Sequence, residues 1–426
     1  MKFPEEFLHF IWQFRLYGAH KLFTTHGESI DVVRTGGLNK NAGPDFLHAK
    51  LIIDKTIWIG NIEIHIRSSD WLAHQHQHDA AYDNVILHVV YINDEPIYRM
   101  DGSLIPVLVL KDCFPEKFLI QYERLIQSSH HFPCEKQIHT VDSFFVDSFL
   151  TRVGIERLAQ KSEEVYDKLS ELKGNWDETF YHFMARNFGL KLNSVPMEML
   201  SRALPQQILA KHKDNPFQIE ALLFGQAGFL AQTFTDDYPK DLKKEYQFLK
   251  HKYSLKPLPI SLWKFMRMRP QNFPTLRLAQ FAALIVNSNH LFSKIVIIKE
   301  FGAITQLFDD LPVNEYWQTH YHFNKTAENV GIQLGKGTIQ NILINTISLF
   351  LFAYGKYIDQ QVLIDRSLAL LEHLPSEQNA ILKQYNVAGV KLKSAFQSQA
   401  LLQLKKVYCS EKKCLNCGIG IKILNK

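Results

Sequence analysis

Three polar side chains stand where apolar ones are expected. In the segment TIWIGNIEIHI, residues 56–66, an extended strand turns Ile62, Ile64 and Ile66 to one face and Asn61, Glu63 and His65 to the other. Polar groups in the middle of an apolar strand are costly to bury without partners, and a bound cation would be such a partner. Asp45 opens the preceding strand. A hairpin turn near Asp54–Lys55 would set it roughly across from residues 63 to 65. A three-residue loop puts Asp45 on the face of Glu63, and a two-residue loop puts it on the other, so register decides whether the group forms. With the faces aligned, two carboxylates and an imidazole converge. Carboxylate oxygens suit Mg²⁺ or Mn²⁺, and an imidazole moves the preference toward Mn²⁺ or Zn²⁺.

More imidazoles follow. His65, His74, His76, His78 and His88 are five of the chain's 19 histidines. The spacing predicts a helix over about 71–83, with Ser68, Ser69 or Asp70 of SSDW as its N-cap. On that helix His74, His78 and Tyr82, four residues apart, share a face with Trp71 close by. They read either as a solvated polar face or as metal ligands.

The elements that position these residues run helix (about 4–20), a Gly- and Asn-rich loop GGLNKNAGPDF, strand, strand, helix and strand. The loop composition calls for sharp backbone turns. The β-branched runs AKLIID, TIWIGNIEIHI, NVILHVVYI and LIPVLVL give way near residue 112 to apolar residues recurring at three and four. The expected organisation is α+β or α/β: an αββαβ domain over 1–112, a mainly helical domain over 115–405, and a cysteine-bearing tail over 406–426. No internal repeat favours a solenoid.

PDF, a spacer, a strand with Glu-x-His and a following helix with spaced His and Tyr together resemble the PD-(D/E)XK nuclease core. The resemblance implies that Asp45 and Glu63 are the motif's carboxylates, binding Mg²⁺ or Mn²⁺, and that His65 stands at its lysine position. In that family the lysine orients the attacking water and stabilises developing negative charge. A histidine there would act as base or metal ligand instead. His74 and Tyr82 resemble polar residues of the next helix in exonuclease-like branches, and Glu5 or Glu6 would match an extra acidic ligand. The longer string GPDF…EIH…SSDW…H…H…Y…VILHVVY, with the cysteine tail, also resembles an uncharacterised bacterial protein family. That match covers most of the chain and implies no activity.

Cys409, Cys414 and Cys417 lie within nine residues. With Cys134 or Cys113 as a fourth thiol they could close on Zn²⁺ or an iron–sulfur cluster; otherwise they are reduced cysteines in a basic tail. Between Lys240 and Arg277, ten Lys/Arg face two Asp/Glu and are interleaved with aromatic residues. That mixture suits phosphate and base contacts, with Arg267, Arg269 and Arg277 as candidates for nucleic acid. The plainer alternative is that these arginines fasten adjacent helices.

The chain as a whole narrows the classes. Its 426 residues, 46% hydrophobic and 21% charged, are those of a folded globular protein, and a net charge of +5 permits a nucleic-acid partner without requiring one. No run of about 20 apolar residues and no secretory signal is evident, so no membrane partner is expected. Five cysteines, an odd number, point to a reducing cytoplasm rather than a disulfide framework. LGKGT at 334–338 lacks the spacing of a phosphate loop. The expectation is a metal-dependent nuclease hydrolysing DNA or RNA, or a non-catalytic nucleic-acid-binding or scaffold protein on a degenerate version of that fold.

Overall fold

The structure, a computed structural model, describes residues 3–18, 21–288 and 290–426. A sheet region comes first and a mainly helical region follows. The chain divides into two compact units. The first takes the residues up to Phe149 together with Lys383–Lys391 and Gln403–Lys426; the second takes Leu150–Leu382 and Leu392–Leu402. The change of character near residue 112 is therefore a change of secondary structure and not the edge of a unit. The cysteine tail belongs to the sheet-bearing unit.

That unit opens with helix α1 (Glu5–Gln13), whose Phe7, Leu8, Phe10, Ile11 and Trp12 are buried while Glu5 and His9, one turn apart, are partly exposed. The helix expected as far as residue 20 stops at Gln13. Arg15 adopts a left-handed conformation (φ 53°) that ends it, and residues 19 and 20 lie outside the described residues. Strands β1 (Leu22–Phe23), β2 (Ser29–Arg34), β3 (Gly37–Leu38), β4 (Phe46–Ile53), β5 (Thr56–Arg67), β6 (Val85–Ile92) and β7 (Val107–Val109) form one sheet. Its order is β1-β2-β4-β5-β6-β7, with β3 also paired to β4. The first half is antiparallel, and β5, β6 and β7 run parallel. An isolated bridge from Thr24 to Leu108 brings the two ends of the order together, so the sheet curls strongly.

Two irregularities set the faces. The β4–β5 hairpin turns on Asp54 and Lys55, with Ile53 opposite Thr56. This is the two-residue loop, and uninterrupted it would send Asp45 to the face opposite Glu63. The pairing shifts between Ala49, opposite Gly60, and Phe46, opposite Ile62. β4 therefore spends three residues where β5 spends two. His48 takes up the extra residue in a left-handed conformation (φ 59°), and its amide donates to Asn61 Oδ1 at 3.3 Å. This β-bulge returns Asp45 to the face of Glu63.

The crossover from β5 to β6 differs from the expected helix over 71–83. Helix α2 is one turn, Asp70–Ala73, and Gln75 (φ 61°) breaks it. Two 3₁₀ turns follow, His76–His78 and Ala80–Tyr82. Asp94 replaces the expected SSDW cap as the anchor of this corner, accepting from Ser68 Oγ, Ser69 Oγ and the Ser69 amide at 2.9–3.0 Å. Helix α3 (Lys117–Ile126) and the start of the long α4 (Ser143–Glu171) complete the unit's forward run.

The second unit is built from α-helices around one apolar core that includes Phe188, Phe224, Phe281 and Trp317. Its helix Lys336–Tyr357 is long and apolar enough to cross a membrane by length and composition, contrary to the sequence expectation that no such run exists. Its most apolar stretch is 67% buried inside the unit, which is how the core helix of a folded unit is placed.

Candidate metal centre on the β4–β5 hairpin

Asp45 is delivered by a loop that is internally bonded. Asn39 donates from its amide side chain to the carbonyls of Ala42 and Pro44, and its backbone amide donates to the Asp45 carbonyl at 2.7 Å. Asp45 and Glu63 then hold each other through backbone groups. The Asp45 amide donates to Glu63 Oε2 and the Ile64 amide to Asp45 Oδ2, both at 3.0 Å. Glu63 keeps Oε1 for the site, while Asp45 Oδ2 also faces His9.

Negative charge accumulates here. Burial first, and then the Asp45 charge, pushes the Glu63 carboxyl up to about 8. The same pressures lift Glu5 to about 7, burial again first, then Asp45, with Glu63 and Asp70 adding to it. Of the two acidic residues on α1, Glu5 is the one coupled to this group, whereas Glu6 is exposed. His9 stands one turn further on, with Nε2 3.2 Å from Asp45 Oδ2. Burial pulls its imidazole down, but Asp45 and the α1 carboxylates more than reverse this, so it sits above its usual value.

Imidazoles crowd the other side of Glu63. His65 is 1% exposed, and burial, reinforced by His88, His76 and His74, takes it down to about 2. His88, directly opposite Glu63 on β6, is taken down to about 3, chiefly by burial. His65 is therefore neutral across the physiological range and cannot supply the charge of a lysine. His65 Nδ1 lies 2.9 Å from His88 Nε2, so one proton is shared between the two rings. With that proton on His65 Nδ1, the Nε2 lone pair faces His74 Nδ1 at 3.2 Å and Glu63 Oε1 at 3.5 Å. His76 Nε2 reaches the same Glu63 oxygen at 3.2 Å.

These contacts fit a metal better than they fit one another. The ligand nitrogens of His65, His74 and His76 all lie within 4.8 Å of one another. Metal bonds of about 2.0–2.1 Å give a tetrahedron with edges of about 3.3 Å, close to the observed donor separations of 3.2 and 3.5 Å. His76 Nε2 is buried and, although near Glu63, is not aligned for a hydrogen bond; the same holds for His9 Nε2 beside Asp45. The His65–His88 pairing is the outer-shell bond that commonly fixes a metal-ligating imidazole. Nitrogen donors with one or two carboxylates could hold Zn²⁺ or Mn²⁺ more readily than Mg²⁺.

The walls are aromatic. Tyr82 stacks on His76 with ring centres 3.8 Å apart, and Trp71 meets the edges of both. Of the residues singled out in sequence, Asp45, Glu63, His65 and His74 come together here, with Tyr82 behind them. His78 does not: it is exposed, because the break at Gln75 replaces helical spacing and brings His76 inward instead. Sequence reasoning counted His76 and His88 among the clustered histidines without placing either at the site, and it did not single out His9. A polar residue inside the apolar run NVILHVVYI, and a histidine four residues after Glu5, were the available signals.

This chain belongs to the DUF2851 family. The family model, described as a protein of unknown function, matches residues 5–380. No curated protein and no solved structure matches the chain. The DUF2851 match thus includes the whole hairpin centre and stops short of the three tail cysteines.

The other candidates of this DUF2851 chain fall differently. Arg267 and Arg269 are exposed. Arg277 is not available to a nucleic acid: it is 5% exposed, and its terminal nitrogens donate to Asn272 Oδ1, Gln280 Oε1 and Thr338 Oγ1. It fastens neighbouring segments, as the plainer alternative has it, through amides and a hydroxyl instead of carboxylates. Tyr246 and Trp263 of the basic stretch are likewise buried, and only Phe248 among its aromatics is largely exposed. Cys134, Cys409, Cys414 and Cys417 are buried, whereas Cys113 is half-buried and its thiol donates to the Val109 carbonyl.

Proposed function

We propose that the hairpin centre binds a divalent transition metal and hydrolyses phosphodiester bonds of DNA or RNA. The observation that carries this reading is the bulge at His48. It brings Asp45 and Glu63 to one face, clasped through each other's strands and flanked by three imidazoles. With β1–β3 set aside, the order α1, β4, β5, crossover, β6 resembles that of the PD-(D/E)XK core, and this resemblance supports the choice of substrate class. Glu63, His65, His74 and His76 would hold the metal, with Asp45 and Glu5 adding negative charge beside it. A divalent ion there would supply a water of lowered pKa and offset the charge of the phosphate. The chemistry would then fall to two histidines. His65, neutral and bonded to His88, is a ligand. His9, held toward its charged form by Asp45, is the group able to give a proton to a departing oxygen.

The test is incubation of the purified chain with Mn²⁺, Zn²⁺ or Mg²⁺ and linear, nicked and single-stranded DNA and RNA, beside a Glu63→Gln control. Metal-dependent cleavage lost in the control supports the reading. Equal background in both sinks it.

A second reading rests on the neutrality of His65. Without a lysine-like cation next to the carboxylates, the same fold could bind nucleic acid without cutting it. Salt-dependent binding with no turnover under any of the metals would favour that reading.

A further inference from the structure

All five cysteines lie in the sheet-bearing unit, where Cys134 and the closely spaced Cys409, Cys414 and Cys417, far from it in sequence, are linked through Tyr385. Cys134 follows Phe132, whose ring stacks on Tyr385 with centres 4.2 Å apart. The Tyr385 hydroxyl lies 3.3 Å from Cys409 Sγ. Cys409 closes a π-helical turn, Leu404–Cys409, a widened geometry found often at functional sites. A 3₁₀ turn, Cys414–Asn416, comes next, and Cys417 is the N-cap of helix Gly418–Leu424. This stretch is folded so closely that a Cβ on Gly420 would lie 2.3 Å from the Cys414 carbonyl oxygen.

The thiols also sense each other. Burial raises Cys134 well above its usual value, and Cys409, Cys417 and Cys414 raise it further; Cys414 is pushed up to about 12, by burial and then by Cys417 and Cys409. Buried cysteines ordinarily behave as small apolar side chains and need no company. Here a C-x4-C-x2-C segment meets a thiol from another part of the chain, and every one of the four is buried.

We propose that Cys134, Cys409, Cys414 and Cys417 hold an iron–sulfur cluster that fastens the C-terminal segment to the loop around Cys134. Among the described residues only His65, His74 and His76 converge closely enough for a single ion, whereas a cluster is held by four more widely spaced cysteine thiolates. The thiol protons leave to solvent as the metal binds, and its positive charge stabilises thiolates that burial alone disfavours. Lys405 and Lys412 hold the same segment from outside, donating to the carbonyls of His131 and Ile126. The sequence left Cys113 and Cys134 as alternatives for the fourth thiol; the structure selects Cys134, since Cys113 is engaged with its own strand. This centre is independent of the hairpin site.

The full chain, purified without oxygen from cells supplied with iron and zinc, is to be measured for metal content, acid-labile sulfide and visible absorption. One cluster per chain is expected, retained in Cys113→Ser and Glu63→Gln and lost in Cys134→Ser and Cys414→Ser. Iron with matching sulfide and a brown colour supports the site, whereas zinc without sulfide overturns it. If the cysteine variants do not fold, titrating the native chain with an organomercurial should release the iron as four thiols react. Wild-type protein without iron, iron lost equally in Cys113→Ser, or iron unmoved by blocked thiols would each overturn it.

Discussion

Arg277 in the helical unit and Glu63 in the sheet-bearing unit are buried to nearly the same degree, 5% and 4% exposed. Their surroundings are opposite. The terminal nitrogens of Arg277 meet neutral oxygens at Asn272, Gln280 and Thr338, so only its Nε is left without a partner inside its own unit. Glu220, another buried acid there, accepts from the Tyr238 hydroxyl at 3.0 Å. Glu63 faces a second carboxylate and two imidazole nitrogens whose lone pairs and charges compete. Burial of a polar residue is thus no sign of function by itself. What distinguishes the hairpin is that three imidazoles converge there beside a buried carboxylate, an arrangement that a cation would suit.

Removing the cation's ligands is the largest way to test that contrast. Glu63→Gln and His76→Ala should each weaken binding of Mn²⁺ or Zn²⁺ by about 100-fold or more, beyond the outer-shell range, as read by titration calorimetry. Arg277→Leu should leave that affinity unchanged. If the two sets behaved alike, the contrast would be lost. Deleting His48 comes next. The strands would still pair, but Asp45 would move to the opposite face, and metal binding should fall while the far-UV spectrum stays that of the native chain.

A pH series probes the same crowding. Glu63 and Glu5 stay protonated in the folded, metal-free chain to about pH 8 and 7, against 4.5 for their ordinary value. Their folded values are raised, so the stability they contribute is full below about pH 4.5 and is lost as pH rises through 7 and 8. His65 and His88 run the other way. Their values are lowered, so their contribution is present above about 6.5 and is lost as pH falls toward 3 and 2. Metal-free stability should therefore peak between these limits in a series of urea melts. Metal affinity should instead climb through pH 7–8 as the carboxyl protons are displaced. A metal affinity flat across that range would contradict the picture.

Smaller effects belong to the helical unit. Arg277→Leu should cost about 1–3 kcal/mol in urea denaturation, since it leaves its buried acceptors unpaired. Arg267→Ala and Arg269→Ala should change stability by less than about 0.5 kcal/mol. If they touch nucleic acid, each should lower the salt slope of binding by about one contact.

What the residues disclosed in advance follows from locality. The alternation of TIWIGNIEIHI fixes which side chains share a face, so the pairing of Glu63 with His65 was legible. The sheet-then-helix order was equally plain from periodicity. Asp45 was legible only up to a choice of loop, because one inserted residue, six positions before Asp54 in the turn, inverts the outcome and has no signature beyond the letters HAK. His76 was hidden because the left-handed Gln75 breaks a helix that spacing predicts. His88 and His9 come from a neighbouring strand and from α1, and their approach depends on pairings that no window of sequence contains. Arg277 looked like its neighbours until its partners, Asn272 and Thr338 among them, came into view.

The bulge at His48 also bears on how relatives of this chain should be compared. The interval between Glu63 and His65 is rigid, but the interval between Asp45 and Glu63 carries one residue whose presence is decisive. A homologue lacking it could align over the same letters, aspartate and glutamate included, with a single gap of little weight. Its two acids would then lie on opposite sides of the sheet. For any relative, the residue count along this strand would have to be read together with the two acids before the same centre is assigned to it.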